Sequence, residues 1–314
     1  MKNLFKFKIT AAEERQWEKN HILNLKDDYL NTDTLIKYKN DLGYKLKIDL
    51  IKNFLDKNKT DGYILDIGSN TCGEPEILNH YGHRMVSTDI NEIALSLSKK
   101  RSLKYRNQNM DYFAIDAHNI PFQSETFDKI TAIEVLHHLE NLNLSLIEMF
   151  RVLKKGGLLF TYEPYALNPY RRLSEIRDYF RGTIEKSFYI NQIKKNFVNA
   201  GFEIVDLSMI SLPISTTKIK NANFIRKITK TLYSKLSQKY PSIFGMIVLI
   251  AKKPGEFDNT YENIYENIIC PETKNKIFID KNFCVTKNSD SNIISKYPIY
   301  EGVPVLIKED KLKS

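Results

Sequence analysis

Apolar residues along the chain follow two periods. Between Ile22 and Leu55 they recur at three- and four-residue spacing, as Ile22-Leu23, Leu25, Leu35-Ile36, Leu42, Leu46, Ile48, Leu50-Ile51 and Phe54-Leu55, which predicts helices. From Tyr63 the pattern changes: short apolar runs alternate with helical stretches as far as Glu163, and two further strands follow at residues 202–207 and 243–252. Strands alternating with helices imply a parallel sheet with right-handed crossovers and a ligand site at the carboxyl ends of the strands. Past residue 255 only short strands and turns remain, the mark of a small β module.

Chemistry concentrates where the first strand stops. Tyr63-Ile-Leu-Asp66-Ile-Gly68-Ser69-Asn70-Thr-Cys72-Gly73 reads as strand, tight turn and helix start. Glycine permits left-handed backbone and close approach of a ligand, and the free N–H groups of a helix start favour a carboxylate or phosphate. A dinucleotide loop would carry a second glycine where Asn70 stands, with the pyrophosphate against it. Asp66 would repel that pyrophosphate but attract an ammonium group. The loop therefore favours S-adenosylmethionine (SAM), whose methionine moiety carries one.

In these residues the chain resembles the class I SAM-dependent methyltransferases. Four more segments match in order: Arg84-Met-Val-Ser-Thr-Asp89-Ile90, Phe113-Ala-Ile-Asp116-Ala117, Thr131-Ala-Ile-Glu134-Val-Leu-His137-His138, and a helix ending at Gly156-Gly157 before Leu158 to Glu163. The resemblance implies a Rossmann-like, seven-stranded methyltransferase fold of the α/β class, with the last strand antiparallel. It also implies that Asp89, with Ile90 beside it, binds the ribose hydroxyls, and that Asp116 and the Ala117 N–H bind the adenine edge. Asp66, Gly68, Ser69, Asn70, Gly73 and Glu134 complete the expected cofactor set. Cys72 departs from the family pattern as an extra residue before Gly73.

Three regions are expected: a helical cap over 1–60, the methyltransferase domain over 61–254, and a β module over 255–314. That module resembles the zinc-ribbon-like activator subunits of methyltransferases, through its Cys270-Pro271 start and its Tyr297-Pro-Ile-Tyr-Glu-Gly-Val-Pro segment. Zinc needs four ligands, whereas the tail offers Cys270 and Cys284, no histidine, and Thr273 where a paired cysteine would stand. No metal is expected.

The chain has 314 residues, a net charge of +9 and three cysteines, Cys72, Cys270 and Cys284, too few for a disulfide framework. No apolar run approaches the ~20 residues that span a bilayer, and the charged start lacks a signal segment, so a cytoplasmic location is expected. From Ser208 to Gly255 there is no acidic residue, and residues 222–239 read as a basic amphipathic helix. Such a helix lies on a membrane or a lipid-linked substrate, or, more commonly, packs its stripe on its own domain.

The expected activity is methyl transfer from SAM to a small-molecule or lipid- or sugar-linked acceptor, at oxygen. The reaction needs an in-line acceptor and, for a hydroxyl, a base. His138 is the first candidate and His137 the second, with Glu163 or Tyr165 as orienting groups. Two alternatives stand beside this reading: an RNA methyltransferase, weakened by the lack of a recognisable RNA module, and a catalytically silent SAM-binding scaffold.

Overall fold

The computed structural model describes residues 11–57, 59–104, 110–169, 171–173, 175, 187–211, 231–232, 235–236, 238–257, 260, 263–280, 282–287, 292–310 and 312. Most of the segment 222–239 lies outside these residues. Four helices precede the sheet: α1 (Ala11–Asn24), α2 (Lys26–Asn31), α3 (Thr34–Asn40) and α4 (Leu42–Lys57). Asp33 starts α3 by accepting the N–H groups of Leu35 and Ile36 at 2.9 and 3.1 Å. In α4 the buried residues Tyr44, Ile48, Ile51, Phe54 and Leu55 fall on one face, which packs against Ile64, Met85, Phe160 and Val248 of the sheet.

The sheet begins with β1 (Tyr63–Ile67), β2 (Arg84–Asp89), β3 (Met110–Ile115), β4 (Phe127–Ile133), β5 (Leu153–Pro164), β6 (Glu203–Ile210) and β7 (Met246–Lys252). Between them run α5 (Gly73–His80), α6 (Glu92–Lys104), α7 (Leu142–Val152) and α8 (Ile190–Asn199). Their order across the sheet is 6-7-5-4-1-2-3, and β7 runs antiparallel to both β5 and β6. This is the seven-stranded, Rossmann-like arrangement expected from the sequence.

Four more strands extend it: β8 (Phe278–Ile279), β9 (Phe283–Lys287), β10 (Ile293–Tyr300) and β11 (Val303–Leu306). β11 lies parallel to β3, pairing Val305 with Ala114 and Leu306 with Ile115, so one eleven-stranded sheet runs from the core into the tail. Glu301 (φ 47°) and Gly302 (φ 82°) both take left-handed backbone in the two-residue turn between β10 and β11, where Tyr300 pairs with Val303. That turn geometry matches the twist of the flanking strands. The tail also grips β3 and the segment after it: Tyr265 OH donates to Asp111 of β3 at 2.6 Å, Asn119 Nδ2 to the Pro271 carbonyl at 2.8 Å, and Ile269 N–H to the Pro121 carbonyl at 3.0 Å.

Cys270 and Cys284 are buried and unlinked. The Thr273 N–H points at the Cys270 sulfur from 3.4 Å, and the Tyr297 hydroxyl lies 3.4 Å from it. Among the described residues no three acidic, histidine or cysteine side chains converge on a metal position. No helix among them is long and apolar enough to cross a membrane.

One buried ion pair ties cap, loop and core together. Arg101 on α6 and Glu76 on α5 are 2% and 1% exposed, and Arg101 Nη2 meets Glu76 Oε1 at 2.7 Å. Arg101 also donates to the carbonyls of Tyr29 in the cap and Thr71 in the loop after β1, while Thr34 Oγ1 donates to Glu76 at 3.1 Å. Removing one partner strands the other charge in an apolar interior, which costs ~3–5 kcal/mol. Arg101→Ala is therefore expected to lower the unfolding free energy by about that amount in urea titration. A loss under ~1 kcal/mol would mean that the pair is dispensable.

Candidate active site

The carboxyl ends of β1 to β4 present Asp66, Asp89, Asp116 and Glu134 along one edge of the sheet. Asp66, still within β1, is 4% exposed, and its two oxygens accept Ser69 Oγ at 2.6 Å and Thr131 Oγ1 at 2.5 Å. Burial pushes its carboxyl up to about 7, against the pull of those two hydroxyls. Ser69 is framework: its N–H donates to Thr88 O at 2.9 Å, and its hydroxyl accepts the Thr88 N–H at 3.0 Å.

The loop after β1 turns through left-handed backbone three times, at Gly68 (φ 72°), Asn70 (φ 45°) and Cys72 (φ 50°). A Cβ on Gly68 would lie 2.3 Å from Val135 Cγ2, so only glycine lets the loop pass the strand-four segment. Gly73 is the first residue of α5 and takes no left-handed turn; Cys72, the extra residue, does so in its place. Cys72 is anchored there by burial among Leu95, Tyr112, Ala114 and Val303. The last of these belongs to the tail.

Asp89 is half-buried, with its carboxyl raised by that burial. Oδ2 accepts the Asn70 N–H at 2.7 Å and Oδ1 the Asn91 N–H at 2.9 Å, which leaves lone pairs for a diol. Ile90, next in chain, is half-buried beside it. Asp116 accepts both the backbone N–H of His118 at 2.9 Å and its Nδ1 at 2.7 Å. Burial opposes ionisation of Asp116, but the His118 bonds outweigh it and hold the carboxyl below its ordinary value. His118 Nε2 accepts the Asn141 N–H at 3.1 Å, which fixes the proton on Nδ1. Ala117 is half-buried between them.

Glu134 is exposed and left-handed (φ 54°), and its carboxylate meets Lys47 of α4 at 3.1 Å. Beyond it the chain forms a short turn, Leu136–His138. His137 is buried, with Nδ1 2.7 Å from Glu163 Oε2, while Glu163 Oε1 accepts the N–H groups of Val135 and Leu136 at 3.0 and 2.8 Å. Glu163 is fully buried, and burial pushes its carboxyl up to about 8. The His138 ring is exposed and stacks on His137 with 4.1 Å between centroids. Tyr165 is buried and bridges to Phe188.

Sequence reasoning missed His118, Thr131, Arg15 and Lys47. His118 carried a signal, standing two residues after a strand-end acid. The others came from elements distant in sequence. Arg15 of α1 lies 2.9 Å from Glu92 and 2.6 Å from Asp310 of the tail, and its charge acts on both Asp89 and Asp116.

Two outcomes follow for the cofactor that the resemblance implies. Asp89→Ala removes two charged hydrogen bonds to a ribose, worth ~3–6 kcal/mol together, so calorimetry is expected to show at least ~100-fold weaker SAM binding by a folded variant. An unchanged affinity would take Asp89 out of the site. Burial holds the Asp66 carboxyl half-protonated near 7, and an ammonium group beside it favours the ionised form. SAM binding then expels a proton at pH 6, and affinity rises between about pH 6 and 7.5. Calorimetry in buffers of different ionisation heat reads the released proton, and Asp66→Asn should abolish both effects.

Residues 65–161 match the model of a methyltransferase domain. Over 150 residues the chain is 29% identical to a sterol 24-C-methyltransferase of Saccharomyces cerevisiae, covering 45% of this chain and 39% of that one. Over 126 residues it is 29% identical to a ubiquinone/menaquinone biosynthesis C-methyltransferase of Agrobacterium fabrum, covering 38% and 48%. It thus spans less than half the length of either relative. Magnesium protoporphyrin IX methyltransferase from Synechocystis superposes with a TM-score of 0.54 at 13% identity, covering 78% of this chain and all of that one. The matched segment and the strand order make residues 65–161 a methyltransferase domain of the class I, Rossmann-like fold.

Proposed function

We propose that the protein transfers the methyl group of SAM to an apolar small-molecule or lipid-linked acceptor that enters beside β4 and β5. The observation that carries this reading is the meeting, at those two strand ends, of the acid-lined cofactor edge with a histidine pair fixed by a buried glutamate. The loop after β5 supports an apolar acceptor. Leu167, Leu173 and Tyr189 are exposed there, as are Tyr240 and Ile243 in the segment before β7. The segments bearing them are tied together, since Asn168 Nδ2 donates to the Phe244 carbonyl at 2.8 Å and Arg172 to Tyr189 OH at 2.9 Å. Sterols and quinones are the compounds for which the two relatives are named.

SAM supplies an electrophilic methyl on a sulfonium. Asp66 and its neighbours hold the methionine end, Asp89 the ribose, and Asp116 with the Ala117 N–H the adenine. Methyl transfer leaves a proton to be removed from the acceptor. His138, exposed at the rim of the cleft, takes it in this reading, while the His137–Glu163 pair forms the fixed surface on which the His138 ring rests. Tyr165 packs behind them. With Glu163 neutral through much of the physiological range, its proton lies along the bond to His137 Nδ1, and no uncompensated charge is buried there. A hydroxyl oxygen is the proposed accepting atom. The names of both relatives favour carbon as the competing one.

Incubation with SAM labelled in its methyl group and with separate lipid, small-molecule and RNA fractions tests the acceptor class. Label in an organic-extractable product is expected, and its carbon NMR shift separates O-methyl from C-methyl. Label only in RNA, or none in any fraction, would overturn the proposal. For the base, His138→Gln is expected to lower turnover ~10²-fold or more with SAM affinity unchanged. A loss of that size confined to His137→Gln would move the role to His137.

A further inference from the structure

The methionine end of the cofactor is a zwitterion, yet the strand ends offer it only acids. Asp66 and Glu134 can welcome its ammonium group, but neither can receive its carboxylate. The start of α5, where a helix offers free N–H groups to an anion, is already taken. Glu74, the second residue of α5, accepts its own backbone N–H, and Glu74 and Glu76 both place negative charge in that first turn. A carboxylate brought near that turn needs a donor from another element and a cation to offset Glu74.

Two side chains of α4, three residues apart and therefore on one face, have the opposite character. Lys47 reaches over the loop with its ammonium 2.7 Å from Glu74 and 3.1 Å from Glu134, its side chain only 17% exposed. An ammonium has three N–H groups, and these two carboxylates use two of them. Tyr44 is buried, and its hydroxyl has no hydrogen-bond partner among the described residues. A Cβ added to Gly73 would lie 2.7 Å from that hydroxyl, so it is aimed at the turn where β1 passes into α5. A buried donor left unpaired costs free energy, and an arriving acceptor recovers it. Lys37, the other cation nearby, is exposed, with its ammonium over the Tyr44 ring at 4.0 Å.

We infer that Tyr44 and Lys47 form the anion half of the cofactor site, donating to the methionine carboxylate of SAM, and so act as positioning residues for methyl transfer. The inference rests on the assignment of SAM as cofactor. Lys47 then does two things at once: it receives the carboxylate, and it neutralises Glu74 and Glu134, which would otherwise crowd Asp66. Helix α4 becomes part of the site as well as the cover of the sheet face. The ammonium and the carboxylate of the ligand each meet a group of suited charge.

S-adenosylhomocysteine and its decarboxylated analogue, which keeps the adenosine and the amine but lacks the carboxylate, separate this from a structural role. Calorimetry on the unaltered protein is expected to show the decarboxylated ligand binding ~10- to 100-fold more weakly, the worth of a pair of hydrogen bonds involving charge. Equal affinities would overturn the inference whatever any variant does. Tyr44→Phe and Lys47→Met are each expected to weaken S-adenosylhomocysteine by ~10-fold, with Lys47→Arg restoring most of the affinity, while the decarboxylated ligand changes by less than about twofold. Equal losses for both ligands would mean that the residues only support the fold, and would also overturn it. Failure of the unaltered protein to bind either ligand would instead remove the cofactor assignment on which the inference stands.

Discussion

The bond that the site depends on most is between Arg101 and Glu76, neither of which touches the cofactor edge. A loop that turns left-handed at Asn70 and Cys72 carries strain at two non-glycine residues, and strained backbone persists only where its surroundings over-determine it. Arg101 supplies part of that determination by holding the Thr71 carbonyl from beneath. The same guanidinium reaches the cap through Tyr29, so cap and loop are fixed from one buried point. Asp89 holds the loop from the other side, through the Asn70 N–H. Asp89, proposed to hold the ribose, thus also shapes the turn proposed to receive the methionine.

The tail acts on the same edge from a different direction. Because β11 continues the sheet past β3, the strand that ends in Asp116 is an interior strand and its register is fixed on both sides. Asn119 and Pro121, just beyond, are bonded to the tail, and Asp310 reaches Arg15 of the first helix. The first helix and the tail therefore meet near the strand end that carries Asp116. The Tyr297 to Leu306 segment has a physical reason here: Tyr297, Val303, Val305 and Leu306 are buried and need the core as their partner surface.

Much of this was legible in the sequence, because the central strands are short apolar runs that end in acids, and such runs are specified locally. Asp66 could be read from its strand end, and Asp89, Asp116 and Glu134 from segments that resemble the methyltransferase family. What could not be read is whatever depends on contact between distant segments. Lys47 stands on a helix whose pattern shows only which face is buried, and nothing in that pattern says that it crosses to Glu134. The joining of β11 to β3 pairs residues about 190 apart in the chain, and a run such as Val303 to Leu306 does not declare its neighbour. Likewise nothing in the loop's sequence says that Cys72, a residue with a side chain, takes a left-handed turn, which its burial in the Leu95 cluster holds in place.

Amide hydrogen exchange with and without S-adenosylhomocysteine tests the central claim, that the carboxyl edge of β1 to β4 is where the cofactor lies. Protection is predicted in three separate segments: the loop from Gly68 to Gly73, the turn from Asp89 to Asn91, and Asp116 to His118. Protection confined to other parts of the chain, or no change on saturation with the ligand, would contradict it.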